Sequence, residues 1–181
     1  MAVSDPVSLK SIDAIKPRQR RGAVVLADAG SISSRRFDPT FVELCKVPGN
    51  DVWLIECIET ADDILDAFLP GLAKLVIPVS GIRGRGVLEE ALSLSDQCVP
   101  LVSVRNGRAD WGRGGPLEAV KDLADTGYGK IMVWDIGGEL PTGFWESASR
   151  DASIISYVPG SRRLTDDVLT DVLPPVPEAL G

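Results

Sequence analysis

The 181-residue chain contains no histidine, and this absence excludes several kinds of site. It excludes Ser–His and Cys–His nucleophile pairs, histidine acid–base catalysis and histidine-ligated metals. The three cysteines, Cys45, Cys57 and Cys98, are odd in number and scattered, which is typical of reduced, buried thiols rather than of a disulfide framework or a zinc site. Catalysis would therefore rest on carboxylates, Lys, Arg, hydroxyls, Cys or backbone amides. We predict no bound metal and no cofactor.

Long apolar runs and an excess of positive charge are also missing. No run is long enough to span a bilayer, and the amino-terminal residues have no signal-peptide core, so we expect a cytoplasmic protein with no membrane partner. The net charge of −7 argues against a nucleic-acid partner, although residues 18–21 are locally basic. The glycines around Arg113 lack the spacing and the lysine of a nucleotide-binding P-loop, so we predict a loop there.

The composition that remains is that of an ordinary globular domain, with 44% hydrophobic and 25% charged residues. The length fits one well-buried core. We predict a single domain over residues 1–173. A proline-rich tail over residues 174–181 is expected to have no regular structure.

The stretch from Lys130 to Trp145 shows the pattern that organises the chain. The continuous apolar run Ile131–Trp134 predicts a strand buried on both faces, as in a parallel sheet. Asp135 follows at the carboxyl end of that strand, and Pro141 with Thr142 predicts a helix start. Ligands bind at this end of the strands in parallel α/β proteins.

Similar apolar runs recur along the chain with helical patterns between them. They are centred near positions 25, 55, 77, 101, 133 and 155. The intervening segments predict helices, and two further helices are predicted at Asp5–Ile15 and Leu164–Leu173. This strand–helix alternation predicts an α/β protein with a parallel sheet.

Four passages, together with the Lys130–Trp145 stretch, resemble a known family. They are Asp5–Val7 with Ile12, Val25–Asp28 with Ile32, Ile58–Ile64, and Val102–Val104 with Asn106–Arg108. In order and spacing the chain is similar to the (βα)8-barrel isomerases of histidine biosynthesis, the phosphoribosylformimino-aminoimidazole carboxamide ribotide isomerases, and especially to their uncharacterised relatives. The resemblance implies an incomplete or divergent (βα)8 TIM-type barrel of about six βα units.

The departures from that family bear on function. The resemblance begins at the first helix, so the first strand and its catalytic Asp have no counterpart, and Ser103–Asn106 supplies no Asp on the fifth strand. The glycine-rich phosphate-binding exits are replaced by Glu56–Glu59 and Tyr157–Gly160, and carboxylates repel phosphate. Little sequence follows Leu173 to form an eighth strand. We therefore do not expect the ordinary histidine-pathway isomerisation.

Asp28 and Asp135 are the candidate acid and base, because each follows a strand at the ligand-facing end. The alternative is that they cap helices or loops. Thr142 matches a substrate-contacting Thr that the resemblance implies, and its alternative is a helix cap beside Pro141.

The candidate phosphate-binding residues are Ser80 with Gly81, and Gly160 with Ser161. Arg83 and Arg85 lie just beyond the first pair, and arginine suits phosphate by its charge and forked donors. The alternative, which we favour, is that these arginines are solvated or pair with the surplus acidic residues.

Two function hypotheses follow. The first is a barrel that has lost the family's catalytic acids and acts through subunit association, because unpaired strands at two open sheet edges recruit another strand. A homo-oligomer, a partner subunit or rearranged chain ends would close those edges. The resemblance implies a link to tetrahydromethanopterin- or methanofuran-dependent one-carbon metabolism. The alternative is an isomerase or lyase acting on a small phosphorylated metabolite, with Asp28 and Asp135 as acid and base.

Overall fold

The computed structural model describes residues 23–45, 51–112, 114–157 and 171–172. The strands are β1 (Ala23–Ala27), β2 (Asp51–Ile55), β3 (Lys74–Pro78), β4 (Cys98–Arg105), β5 (Arg108–Ala109), β6 (Lys130–Asp135), β7 (Ser153–Tyr157) and β8 (Asp171–Val172). The helices are α1 (Ala29–Ser34), α2 (Pro39–Leu44), α3 (Ala61–Phe68), α4 (Arg85–Leu94), α5 (Pro116–Thr126) and α6 (Thr142–Ala148). A 3-10 helix, Val79–Gly81, follows β3.

Seven strands form one parallel sheet in the order β7-β6-β4-β3-β2-β1-β8, and β5 pairs antiparallel with β4. From β1 to β7 the parallel strands follow one another in chain order without a reversal. Doubly wound sheets reverse their strand order at a switch point, whereas barrels do not. The protein is therefore an α/β protein with an incomplete TIM-type barrel, as predicted.

Both faces of the sheet are buried, but by different partners. Residues facing one side, such as Leu54, Ile77 and Val133, pack against the helices in one apolar cluster. Their strand neighbours face the other side and form a second cluster. That cluster consists of Ala27, Ile32, Trp53, Ile55, Val76, Val99, Leu101, Met132, Trp134 and Ile155. Because nearly all of its members come from strands, this face packs on itself, and we call it the concave face.

A contact between β2 and β6 demonstrates the curvature. Lys130 Nζ lies 5.6 Å from the centre of the Trp53 ring, although β3 and β4 separate these strands in the sheet. Neighbouring strands are about 4.8 Å apart, so a flat sheet would hold the two backbones about 14 Å apart. The sheet must curve to bring the side chains together.

Local sequence signals explain most helix boundaries. Thr60 and Asp63 form a capping box at the start of α3, and Gly127 ends α5 in the left-handed conformation with φ of 116°. Asp38 caps α2, whose first residue is Pro39. We did not predict α1, because its six residues AGSISS have no apolar periodicity.

The two edges of the sheet differ. At one edge β8 pairs with β1 through Val24 with Asp171 and Val25 with Val172. The predicted helix Leu164–Leu173 is therefore wrong for residues 171–172, because these residues are extended and pair with β1; its other residues lie outside the described part of the chain. Within the described ranges, no strand pairs with the outer edge of β7.

Two predicted segments fall on other parts of the chain. The predicted helix Asp5–Ile15 and the tail at 174–181 lie outside the described residues. Among the helices of the described part, none is long and apolar enough to cross a membrane.

Candidate functional site

A polar cluster lies at the carboxyl ends of β3 and β4, on the concave face. A two-residue turn, Asn106-Gly107, with φ of 52° and 69°, folds β5 back onto β4 as a type I′ hairpin. Asp110 then lies opposite Ser103: its amide donates to the Ser103 carbonyl at 3.0 Å, and its Oδ1 accepts from the Ser103 amide at 2.9 Å. Strand alternation places Ser103 in the row of Val99 and Leu101, which faces the concave side.

The carboxyl group of Asp110 is held in a largely dry environment. Burial raises its pKa to about 6, and hydrogen-bonding groups of Ser103 and Ser80 act in the opposite direction. Asp110 Oδ2 and Ser103 Oγ are both buried, and neither has a hydrogen bond of good geometry to another residue that the structure describes. We call Ser80, Ser103 and Asp110 the rim cluster. It combines a carboxylate and two hydroxyls above an apolar surface, which is a common composition of ligand sites.

A second polar group lies at the exits of β1 and β2. Asp28 caps α1, its Oδ1 accepting from the amides of Gly30 at 2.8 Å and Ser31 at 3.1 Å. Glu56 is fully buried, and its Oε1 accepts from the Asp38 amide at 3.3 Å. The remaining oxygens, Asp28 Oδ2 and Glu56 Oε2, are buried without another donor among the described residues. The two carboxyl groups interact with each other.

Burial raises the pKa of Glu56 to about 9, so this carboxyl group is protonated at neutral pH. Burial is also the largest influence on Asp28, whose pKa is raised overall, although its hydrogen bonds from the Ser31 and Gly30 amides lower it. The pair therefore carries at most one negative charge at neutral pH.

The predicted acid–base residues Asp28 and Asp135 are far apart in the sheet. Their strands β1 and β6 are separated by β2, β3 and β4. Asp135 shares the helix-facing side of β6 with Ile131 and Val133, and its Oδ2 accepts from the Leu140 amide at 2.8 Å. Each carboxylate thus makes a local backbone cap. Their role as acid and base stays a prediction.

Thr142 is the exposed first residue of α6. The cap position is Pro141, and no side chain caps this helix, so Thr142 does not act as the cap.

The predicted phosphate residues have different positions. Ser80 lies beside Asp110 in the rim cluster, and Gly81 is so close to the segment that follows β2 that an added Cβ would meet Cys57 Sγ at 3.1 Å. Arg83 pairs with Glu59, and Arg85 pairs with Asp122, as the favoured alternative predicted. Phosphate binding at Ser80 and Gly81 stays a prediction, and Gly160 and Ser161 lie outside the described residues.

Asp110 and the role of Ser103 were not predicted from the sequence, and Glu56 was predicted only as a charge that repels phosphate. The Asn106-Gly107 pair is a strong hairpin signal that would have placed Asp110 opposite Ser103. No local signal indicated that Glu56 would meet Asp28, because adjacent strands bring them together over 28 positions of sequence.

Comparisons with known proteins leave the family open. No family model matches the chain, and no curated protein matches it. Among solved structures, it is similar to the carboxyl transferase domain of Rhizobium etli pyruvate carboxylase, determined with 3-hydroxypyruvate, at 11% sequence identity and a TM-score of 0.48. The match covers 87% of this chain and 40% of that one. This likeness is too weak to support a function, and the resemblance to histidine-biosynthesis isomerases stays a prediction.

Proposed function

We propose that this chain acts through association, in which β7 pairs with β7 of a second copy, rather than as an isomerase of the family it resembles. The observation that carries the proposal is the outer edge of β7, which has no partner strand within the described ranges. An unpaired edge presents backbone donors and acceptors that recruit another strand.

The sequence of β7 supports self-pairing. Its five residues, SIISY, contain no charged residue and no proline, the usual means by which edge strands avoid pairing. A two-fold symmetric interface would place two β7 strands antiparallel. Such pairing juxtaposes no like charges, which favours it in a chain with a net charge of −7.

The proposed loss of isomerase activity has separate support. Large apolar side chains, including Trp53, Met132 and Trp134, fill the concave face. Asp28 and Asp135 are engaged in local caps. The link to tetrahydromethanopterin- or methanofuran-dependent one-carbon metabolism rests on the family resemblance alone and stays a prediction.

The hydrogen-bonding direction of β7 provides a selective test. The Ser153 amide donates to Gly129 at 2.9 Å, towards β6. Amides alternate in direction along a parallel strand, so the Ser156 amide points to the open edge. Ser156→Pro would remove this outward donor without removing a bond to β6. Ser156→Ala keeps the donor and is the matched control.

Light scattering after size exclusion would measure the assembly. We expect twice the chain mass of 19.3 kDa for the wild type and for Ser156→Ala, and a single chain mass for Ser156→Pro. A monomeric wild type would contradict self-pairing. In that case a different subunit, or another segment of the same chain, would pair with the outer edge of β7. A dimeric Ser156→Pro would show that β7 is not the interface.

The alternative is an isomerase or lyase acting on a small phosphorylated metabolite. The buried Asp28–Glu56 pair favours it, because perturbed carboxyl groups near strand ends suit proton transfer. Thermal shift with sugar phosphates would test it, comparing Asp28→Asn and Asp135→Asn, which both keep an oxygen for their caps. If sugar phosphates stabilise the wild type but neither variant, the result would support catalysis by these acids. No stabilisation, or equal stabilisation of the variants, would count against it.

A further inference from the structure

The rim cluster lies where a barrel binds ligands, and strand pairing places two of its three residues on the concave side. Ser103 follows Val99 and Leu101 on the concave face. Ser80 belongs to the 3-10 helix Val79–Gly81 that follows β3, and its hydroxyl interacts with the Asp110 carboxyl group. Asp110 lies opposite Ser103 at the end of the β4–β5 ladder, and opposite residues in an antiparallel pair face the same side. The three polar side chains therefore converge at the carboxyl-end rim.

The charge of the cluster is not neutralised by the side chains around it. Within the described ranges no ion pair involves Asp110. Arg105 and Arg108 of the same hairpin are exposed, and the two arginines after β3 pair with Glu59 and Asp122. Its neighbours are the Ser103 amide and the hydroxyls of Ser103 and Ser80. A buried carboxylate without a cation is costly, so a cationic ligand would be stabilised there.

The cluster is partly exposed to solvent. Ser103 is buried, but Ser80 and Asp110 are only half-buried, and they lie on separate segments, the 3-10 helix and the end of the hairpin. Asp110 Oδ2 and Ser103 Oγ are buried and have no well-formed hydrogen bond to another described residue, so each has an unused acceptor position for a ligand. An ammonium group offers three donors and a positive charge, which match a carboxylate oxygen flanked by hydroxyl oxygens.

We infer that Ser80, Ser103 and Asp110 bind the protonated amine of a small ligand at the carboxyl ends of β3 and β4. The ammonium group donates to Asp110 Oδ2 and to the oxygen of Ser103, and Ser80 completes the polar wall. A phosphate group is disfavoured at this position, because Asp110 would repel it. This site is independent of the proposed β7 interface, since β6 lies between β7 and β4.

Ethanolamine is a suitable probe, and ethylene glycol is its neutral counterpart. Titration followed by amide NMR at pH 7.5 should show saturable shifts at Ser103 and Asp110 with ethanolamine and none with ethylene glycol or inorganic phosphate. Asp110→Asn should weaken binding at least tenfold while keeping an oxygen for the Ser103 amide. The exposed control Asp96→Asn should leave affinity unchanged.

The pH dependence of ethanolamine binding provides a second test that needs no variant. At pH 5, one unit below the pKa of about 6, the Asp110 carboxyl is mostly neutral, so ethanolamine should bind about tenfold more weakly. Equal shifts with ethylene glycol, unchanged binding in Asp110→Asn, or affinity independent of pH would each overturn the assignment. So would the absence of any saturable shift with ethanolamine. If Asp110→Asn fails to fold, two other measurements test the amine site. These are the pH dependence of ethanolamine binding and the affinity of Ser80→Ala, which is expected to bind severalfold more weakly.

Discussion

Glu56 and Asp28 are buried carboxyl groups that interact at the adjoining ends of β2 and β1. Burial raises the pKa of Glu56 to about 9, so it is neutral at pH 7, and Asp28 caps α1. The pair joins two strand exits to a helix start, so it has a structural consequence whether or not it takes part in chemistry.

Replacement of Glu56 by Gln should change how stability depends on pH. The unfolded carboxyl ionises near 4.5, but the folded one stays protonated up to about 9. The folded state therefore binds more protons in this window, and the wild type loses stability as pH rises through it. Gln stays neutral at every pH, so the melting temperature of Glu56→Gln should rise relative to the wild type from pH 5 to pH 9. The exposed control Glu89→Gln should show no such trend, and a pH-independent difference for Glu56→Gln would contradict the raised pKa of Glu56.

Truncation of a concave-face residue should test whether that face is a packed core. Leu101 is fully buried there, whereas Leu69 is 77% exposed. Leu101→Ala should lower the free energy of unfolding by about 2–5 kcal/mol. The same change at Leu69 should stay within about 0.5 kcal/mol. Urea unfolding measures both, and similar small losses would mean that the concave face is not tightly packed.

The hairpin that delivers Asp110 depends on a left-handed turn. Gly107 has φ of 69°, and an added Cβ there would meet no atom within 4 Å, so conformation alone decides the cost of a substitution. Gly107→Ala should destabilise the protein by about 1–2 kcal/mol. Gly129 is equally uncrowded but lies outside the left-handed region, so Gly129→Ala is the matched control and should be nearly neutral. Equal melting temperatures for the two variants would contradict the type I′ turn.

The capping box of α3 predicts a selective loss. Thr60 Oγ1 accepts from the Asp63 amide at 3.4 Å, and Asp63 Oδ2 accepts from the Thr60 amide at 2.8 Å. Thr60→Ala should cost about 1 kcal/mol, whereas Thr60→Ser should retain most of the stability. Thermal unfolding compares the two variants, and an equal loss for both would mean that the hydroxyl makes no contribution.

The three cysteines should be unreactive in the folded protein. Cys45, Cys57 and Cys98 are free and buried, and burial raises the pKa of Cys57 and of Cys98 to about 11. The thiolate is the reactive form, so a disulfide reagent should modify the native protein slowly and all three thiols rapidly in urea. Rapid modification of the native protein would show that one of these side chains is accessible.

The sequence by itself determined the six main strands, most of the helices and their order, but not α1, β5 or β8. Apolar runs with β-branched residues became the six predicted strands, and caps such as Thr60 and Gly127 fixed helix ends, because these signals act between residues close in the chain. The strand–helix alternation also predicted the parallel sheet, since parallel neighbours require a crossover between them.

Only the tertiary structure decided which polar side chains meet and which face they occupy. Asp28 and Asp135 both follow strands, yet three strands separate them and each carboxylate caps its own loop or helix. Glu56 meets Asp28, and Asp110 meets Ser80, because strand pairing and the curvature of the sheet set those contacts. Near a strand end, one residue faces the helices and the next faces the concave side. Which residue faces which side depends on the strand register, and contacts between residues distant in the chain fix that register.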